Sequence, residues 1–164
     1  MKKTNGTAGI KIAFFVRQDA GGFLDEIVTG LADEFDTHVV IIKSENDYEK
    51  IEHWMKWADI SWFEWCDNLI VYGSKLETAK EKIVVCRLHS YEAFSIYPSQ
   101  VDWSNVNRII FVAHHIRDFV VQRFRIQKDK SCVIPNGVNM DKFHFMERKA
   151  GYNVAYVGYV NYKK

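Results

Sequence analysis

The stretch IKIAFFVRQDAGGFLDEIVTGLADEFDTHVVIIK, residues 10–43, decides the fold class of this 164-residue chain. Residues 10–16 are almost continuously apolar, which is typical of a parallel strand buried on both faces. Residues 37–43 form a second run of this kind, and residues 23–35 between them carry apolar side chains at helical spacing. A strand, a helix and a strand joined by short connections predict a βαβ unit. The predicted inner helix face comprises Phe23, Leu24, Ile27, Val28, Leu31 and Phe35.

The same alternation continues through most of the chain. We expect helices at 45–58, 65–80 and 114–126, a helical turn near 102–106, and strands at 59–64, 82–88, 108–112 and 132–135. Repeated βα units predict an α/β fold, a Rossmann-like doubly wound parallel sheet with helices on both faces. This domain spans 10–145, after a disordered lead-in at 1–9. Residues 146–151 are interpreted as a linker, and 152–164 as the first strand of a further domain.

Composition excludes several functional classes. The 22 basic and 21 acidic residues leave a net charge of +1, without the basic excess of a nucleic-acid-binding protein. Three widely spaced cysteines form no CxxC motif, so we predict reduced, buried thiols in a cytoplasmic protein. The histidines, including His53 and His144, lack the spacing of metal ligands, and we predict no metal site.

Residues that follow the predicted strands are the candidates for a ligand site, because open α/β sheets bind ligands beyond the carboxyl ends of their strands. The pair Gly21-Gly22, before the first predicted helix, allows backbone amides to approach a phosphate or sugar, or it forms a plain turn. A histidine at a strand end is suited to hydrogen bonding or proton transfer, or it is satisfied by its own loop. The candidates are Gly21, Gly22, Glu64, His89, Asn136 and Gly137, with His114 and His115 as weaker ones.

Four tryptophans crowd residues 54–65, and this region has two interpretations. Sugars stack on aromatic faces, so the cluster suits a carbohydrate platform, but core packing or contact with a partner is the favoured explanation, because aromatic side chains mainly supply buried area. Glu64 lies within the cluster, where its carboxylate would accept a hydrogen bond from a sugar hydroxyl or cap the next helix.

VIPNGVNMDKF, residues 133–143, resembles the V-I-P-N-G-V-D-x-x-x-F signature of retaining glycosyltransferases of family four, which are two-domain enzymes with the GT-B fold. Four other stretches are similar to the family: DAGGFLDEIVTGLADEF, VVCRLHSYE, RIIFVAHHIRDFV and VAYVGYVNYKK. The last resembles the first strand and diphosphate loop of the donor domain. The resemblance covers residues 10–164, with Tyr159 in place of the basic residue of the donor loop and Ala113-His114 in place of a Ser-acidic pair.

The resemblance implies an N-terminal, acceptor-side domain of an enzyme of glycan biosynthesis. Such an enzyme transfers a sugar from a nucleotide-sugar to a glycan or glycolipid acceptor with retention of configuration, and needs no metal or other cofactor. His89 would be catalytic, Gly21 and Gly22 would line the cleft, and Lys164 would be the lysine of the donor loop. Asn136 and Gly137 would shape the cleft beside the linker.

The partners and the activity of this chain follow as expectations. We expect the 164-residue chain to fold without catalysing transfer, because one wall of the cleft is missing. Peripheral membrane association and pairing with a second copy through the C-terminal strand are further expectations. The alternative function is a non-catalytic glycosyltransferase-like module that recognises a sugar or a protein. Donor sugar, nucleotide, acceptor and linkage stay open.

Overall fold

A computed structural model describes residues 9–18, 24–142, 146–147, 149, 151–152 and 154–155 of the chain. Six parallel strands form one sheet in the order β2-β1-β3-β4-β5-β6. The strands are β1 (Lys11–Arg17), β2 (Asp36–Ile42), β3 (Ile60–Phe63), β4 (Ile83–Leu88), β5 (Arg108–Phe111) and β6 (Ser131–Val133). The helices are α1 (Asp25–Leu31), α2 (Tyr48–Trp57), α3 (Asn68–Gly73), α4 (Thr78–Glu81) and α5 (His114–Phe124). The predicted α/β class and Rossmann-like sheet are confirmed.

The helices lie on both faces of the sheet, as the doubly wound pattern requires. Alternate β1 side chains enter two separate apolar clusters: Phe15 joins one and Phe14 joins the other. The larger cluster includes side chains of α2, α3 and α5, and the smaller one packs against α1. Strand order reverses its direction of growth at β1, so β1 and β3 border the crevice where such sheets bind ligands.

The segment between β3 and β4 differs from the single helix predicted over 65–80. Asp67 accepts a hydrogen bond from the Leu69 backbone N–H at 2.8 Å, and this cap starts α3 at Asn68. After Gly73 the helix stops, and the Ser74 hydroxyl accepts the Asp102 backbone N–H at 3.1 Å. The late start of α3 leaves residues 64–67 as a loop at the end of β3.

Several local predictions need correction. Helix α1 is shorter than the predicted 23–35, and Phe23 lies outside the described residues. The helical spacing of apolar residues in 114–126 predicts that Phe119 faces the core, but Phe119 is 36% exposed and its ring contacts Phe94 at a centroid distance of 5.1 Å. Two of the three free cysteines, Cys66 and Cys86, are buried as predicted, whereas Cys132 is half-buried.

Two searches concern the described residues alone. None of their helices is long and apolar enough to cross a bilayer. Among the same residues, no group of His, Cys, Asp and Glu is arranged to hold a metal ion. Near the C terminus, Tyr152 and Val154 are exposed and outside regular structure, and most of the predicted strand 153–158 lies outside the described residues.

Candidate functional site

Parallel pairing of β3 with β4 brings a carboxylate beside a guanidinium. Phe63 is paired with Cys86, so the next residue along each strand, Glu64 and Arg87, are also neighbours. Glu64 is fully buried and Arg87 is 5% exposed. The Arg87 Nη1 atom donates to Glu64 Oε1 at 2.9 Å. Each ion therefore supplies the opposite charge that a buried ion requires.

Glu64 accepts hydrogen bonds from three side chains. Besides Arg87, the Trp62 indole N–H donates to Oε2 at 3.0 Å, and His89 Nε2 lies 3.2 Å from Oε1. An ionised carboxylate can only accept hydrogen bonds. The hydrogen bond between Glu64 Oε1 and His89 therefore requires a proton on Nε2 of the imidazole. Glu64 thus holds residues of two strands and of the loop after β4 in one cluster.

Arg87 extends the cluster to the Pro-Asn-Gly turn. Its Nη2 atom donates to Asn136 Oδ1 at 2.7 Å. Asn136 follows β6, two strands away from β4 in the sheet. The guanidinium therefore bridges the end of β3 and the end of β6.

His89 is held on its ring face as well as at Nε2. The Trp65 ring stacks on it at a centroid distance of 4.1 Å, and Tyr91 packs on Trp65 at 5.7 Å. His89 is 6% exposed, while Tyr91 is 68% exposed. The three rings thus form a row along one edge of the sheet, from the buried imidazole of His89 to the exposed phenol of Tyr91.

A second buried carboxylate, Glu92, ties together the loops that carry these groups. Glu92 Oε1 accepts the Cys66 backbone N–H at 3.0 Å, and Oε2 accepts the His89 backbone N–H at 2.6 Å. Burial raises the pKa of Glu92 to about 8, although both hydrogen bonds act to lower it. Glu92 therefore holds the backbone of both loops while its side chain stays mostly protonated at neutral pH.

Asp67 is the third carboxylate of this edge. Its side chain caps α3 and lies 3.8 Å from the Arg17 Nε atom at the end of β1. Burial raises the pKa of Asp67 to about 6, opposed by the Leu69 hydrogen bond and by Arg17. Asp67 thus connects the polar cluster to the β1 side of the crevice.

The residues singled out from the sequence fall into two groups. Glu64, His89 and Asn136 lie in one hydrogen-bonded cluster at the carboxyl edge. Gly137 follows Asn136 on the exposed turn, and no atom of the described residues lies within 4 Å of the position that a Cβ would take there. Gly21, Gly22 and Lys164 lie outside the described residues and stay predictions.

The predicted roles of Glu64 need refinement. Asp67, not Glu64, caps the helix that follows β3. Glu64 is fully buried, and three protein donors already surround it. Its part in a sugar site would therefore be to orient Arg87 and His89, rather than to accept a sugar hydroxyl.

The sequence pattern assigns no role to Arg87 or Glu92, although Glu92 stands in the candidate loop that follows the predicted strand 82–88. Arg87 had a usable signal, because it is a charged residue inside the apolar strand IVVCRL and such residues are buried only with a partner. Glu92 had a weaker one, standing three residues after His89. Only the structure shows that its carboxylate reaches the loop after β3.

The four tryptophans do not form one platform. Trp54 and Trp57 lie on α2 and pack with His38, whose ring stacks on Trp54 at 3.6 Å. Trp62 packs against the smaller apolar cluster, and Trp65 alone stacks on His89. Core packing accounts for Trp54 and Trp57, whereas Trp62 and Trp65 both contact the candidate site, Trp62 through its indole N–H and Trp65 through its ring face.

The fold and the cluster together define the class as a Rossmann-like α/β domain with a buried, charge-paired polar network at its carboxyl edge. Comparisons of the chain with protein-family models, curated proteins and solved structures found no match. Arguments about function therefore rest on the sequence and on this geometry.

Proposed function

We propose that this chain is the acceptor-side part of a retaining sugar transferase, with His89 and the Asn136 turn at its substrate cleft. One observation carries the proposal. Side chains from the ends of β3, β4 and β6, which the sequence singled out separately, converge on Arg87 and Glu64. The nucleotide-sugar donor, the glycan or glycolipid acceptor and retention come from the family resemblance alone.

The geometry supports different roles for the residues of the cluster. Glu64 is surrounded by donors and would act as the positioning group, holding the His89 ring through Nε2 and the guanidinium through Nη1. His89 would meet the reacting sugar or its phosphate, the role that the family resemblance implies for it. Arg87 would supply positive charge where a diphosphate leaving group develops negative charge.

The assay for this proposal uses the complete natural protein, since the resemblance puts the donor wall beyond residue 164. We expect transfer from at least one member of a panel of nucleotide-sugars to a glycoside acceptor. His89→Ala should lower kcat/KM by about 10²-fold or more, the usual cost of losing a positioned polar group. His53→Ala, at an exposed position of α2 away from the cluster, is the matched control and should keep wild-type kinetics.

Equal rates in His89→Ala and wild type, with the fold verified by circular dichroism, would contradict the catalytic role of His89. No transfer by the wild-type protein from any donor would contradict the enzyme itself.

A non-catalytic sugar-binding module is the second candidate, and the saturation of Glu64 favours it. A cluster whose polar groups satisfy one another, with His89 only 6% exposed, is suited to structure as well as to chemistry. Glycoside binding by the complete protein without transfer would select this candidate.

A further inference from the structure

A second polar cavity lies beside the Glu64 cluster, at the carboxyl ends of β1 and β2. It has a volume of about 270 Å³, slightly below the range of about 300–1,000 Å³ for small-molecule sites. Its position across β1 from β3 puts it next to the crevice where the strand order reverses. The polar lining side chains are Arg17, Lys43, Ser44, Glu45, Tyr48 and Asn68.

The charges of this cavity are balanced. Arg17 and Lys43 line it as cations and Glu45 as an anion, while Asp67 lies 3.8 Å from Arg17 and supplies a second carboxylate. Among the described residues, these two cations and two carboxylates leave no excess charge to select an anion. The lining is therefore unlike a phosphate site, which concentrates donors and positive charge.

The hydrogen-bonding groups of the cavity are mixed. Cations supply donors, Glu45 supplies acceptors, and the hydroxyls of Ser44 and Tyr48 supply both. A ligand with several hydroxyls, each both donor and acceptor, matches such a set. Ile42 and Leu69 add apolar surface to the lining, as carbon-bound hydrogens of a sugar ring require.

One wall of the cavity holds a polar atom that the protein does not satisfy. Asn68 Nδ2 donates to the Tyr48 hydroxyl, and Asn68 Oδ1 is buried without a hydrogen-bond partner in the described part of the chain. Exchanging the two amide atoms leaves the other one unsatisfied instead. A buried polar atom without a partner is costly, so a ligand hydroxyl that turned this amide toward the cavity would relieve that cost.

We infer that this cavity binds a neutral, polyhydroxylated group of about the size of one monosaccharide. The inference rests on the proposed function, of which it deepens one element: the cavity would hold a sugar unit of the acceptor while the reacting group lies toward His89. Asp67 and Asn68 follow Glu64–Cys66 directly in the chain, so one loop borders both sites.

The test is a titration of the ¹⁵N-labelled 164-residue chain, followed by amide chemical shifts. The probes are methyl glycosides of glucose, galactose and mannose. For at least one of them we expect saturable shifts at the amides of Lys43, Ser44, Asn68 and Leu69, with a Kd of about 1 mM for a ligand so small. Glucuronate and glucose 6-phosphate form the charged arms and should bind more weakly.

Tyr48→Phe removes one hydroxyl while keeping the ring, and it should weaken binding by about tenfold. Tyr97→Phe is the matched control and should bind as wild type. No saturable shifts at the four cavity amides, equal binding by Tyr48→Phe, or tighter binding of a charged probe would each overturn the inference.

Separate reporters keep this test independent of the proposed function. The amides of Glu64, Trp65 and His89 report the other cluster. Glycoside shifts there alone would overturn the cavity site and leave the transferase proposal standing. Shifts at the cavity combined with no transfer by the complete protein would leave a sugar site and overturn the transferase proposal.

Discussion

Two buried glutamates at one edge of the sheet differ in what surrounds them. Glu64 is fully buried with a guanidinium at 2.9 Å, an indole N–H and an imidazole nitrogen. Glu92 is 2% exposed, and the hydrogen bonds to its carboxylate come from two backbone N–H groups. Both join separate loops, but among the residues that the structure describes only Glu64 has a cation beside it.

The difference shows how this fold accommodates buried carboxyl groups. A paired carboxylate needs its partner, because removing one ion leaves the other buried alone. An unpaired carboxyl group instead takes up a proton, and burial raises the pKa of Glu92 to about 8. Mutation of Arg87 would therefore test the environment of Glu64, and a change of pH would test that of Glu92.

The largest expected effect is the loss of the cation. Arg87→Met should lower the free energy of unfolding by about 3–5 kcal/mol, because Glu64 is left buried without its partner. Urea denaturation monitored by tryptophan fluorescence measures it. The double variant Arg87→Met with Glu64→Leu should recover much of the loss. A double variant no more stable than Arg87→Met would contradict the pairing argument.

The second effect concerns pH and Glu92. In the unfolded chain the carboxyl ionises near 4.5, whereas in the fold its pKa is about 8, so the unfolded state releases the proton first as pH rises. The contribution of Glu92 to the free energy of unfolding is therefore fully present below about pH 4.5. Between about pH 4.5 and pH 8 the free energy of unfolding falls by up to roughly 1.4 kcal/mol for each pH unit. Asp67, with its pKa raised to about 6, acts in the same direction at lower pH.

Comparing wild type with Glu92→Gln isolates this contribution. Unfolding free energies of the variant, measured from pH 5 to pH 8, should fall less steeply than those of wild type. Glu34→Gln, on the exposed turn after α1, should retain the wild-type pH dependence. Identical slopes in wild type and Glu92→Gln would show that Glu92 is ionised in the fold across this range.

A smaller effect is expected at the outer side of Arg87. Asn136→Ala removes the acceptor of Nη2, but this turn is exposed and water replaces the lost amide, so we expect a cost of about 1 kcal/mol. Asn139→Ala is the matched control in the same segment, where the amide donates to exposed Glu26. Equal stability of the two variants would show that Asn136 adds nothing to the hold on Arg87.

The smallest effect is expected at an exposed ion pair, which sharpens the contrast with Glu64 and Arg87. Lys142 Nζ lies 2.6 Å from Glu26 Oε1, a shorter distance than that of the buried pair. Both side chains are exposed, so solvent screens the attraction, and Lys142→Ala should leave the urea midpoint unchanged within error. A midpoint shift as large as that of Asn136→Ala would contradict this ranking.

The sequence determined the alternation of strands and helices, because apolar runs and helical spacing report burial directly. It also determined that Glu64, His89 and Asn136 stand at strand ends, since chain order alone places them there. It did not predict the break in the 65–80 segment, where the Asp67 cap and the Ser74 contact override a helical pattern. Phe119 shows the same limit, because an apolar residue at helical spacing need not be buried.

The neighbouring strand ends, and the groups that form ion pairs there, follow from tertiary packing. The register of β3 against β4 puts Glu64 beside Arg87, and Arg87 reaches across to Asn136. The link from Glu92 to Cys66 spans 26 residues, and that from Arg87 to Asn136 spans 49. Local sequence patterns report how one segment is buried, whereas these contacts depend on pairing between distant segments. The polar cluster, and the surroundings of its two glutamates, therefore form only once the sheet has formed.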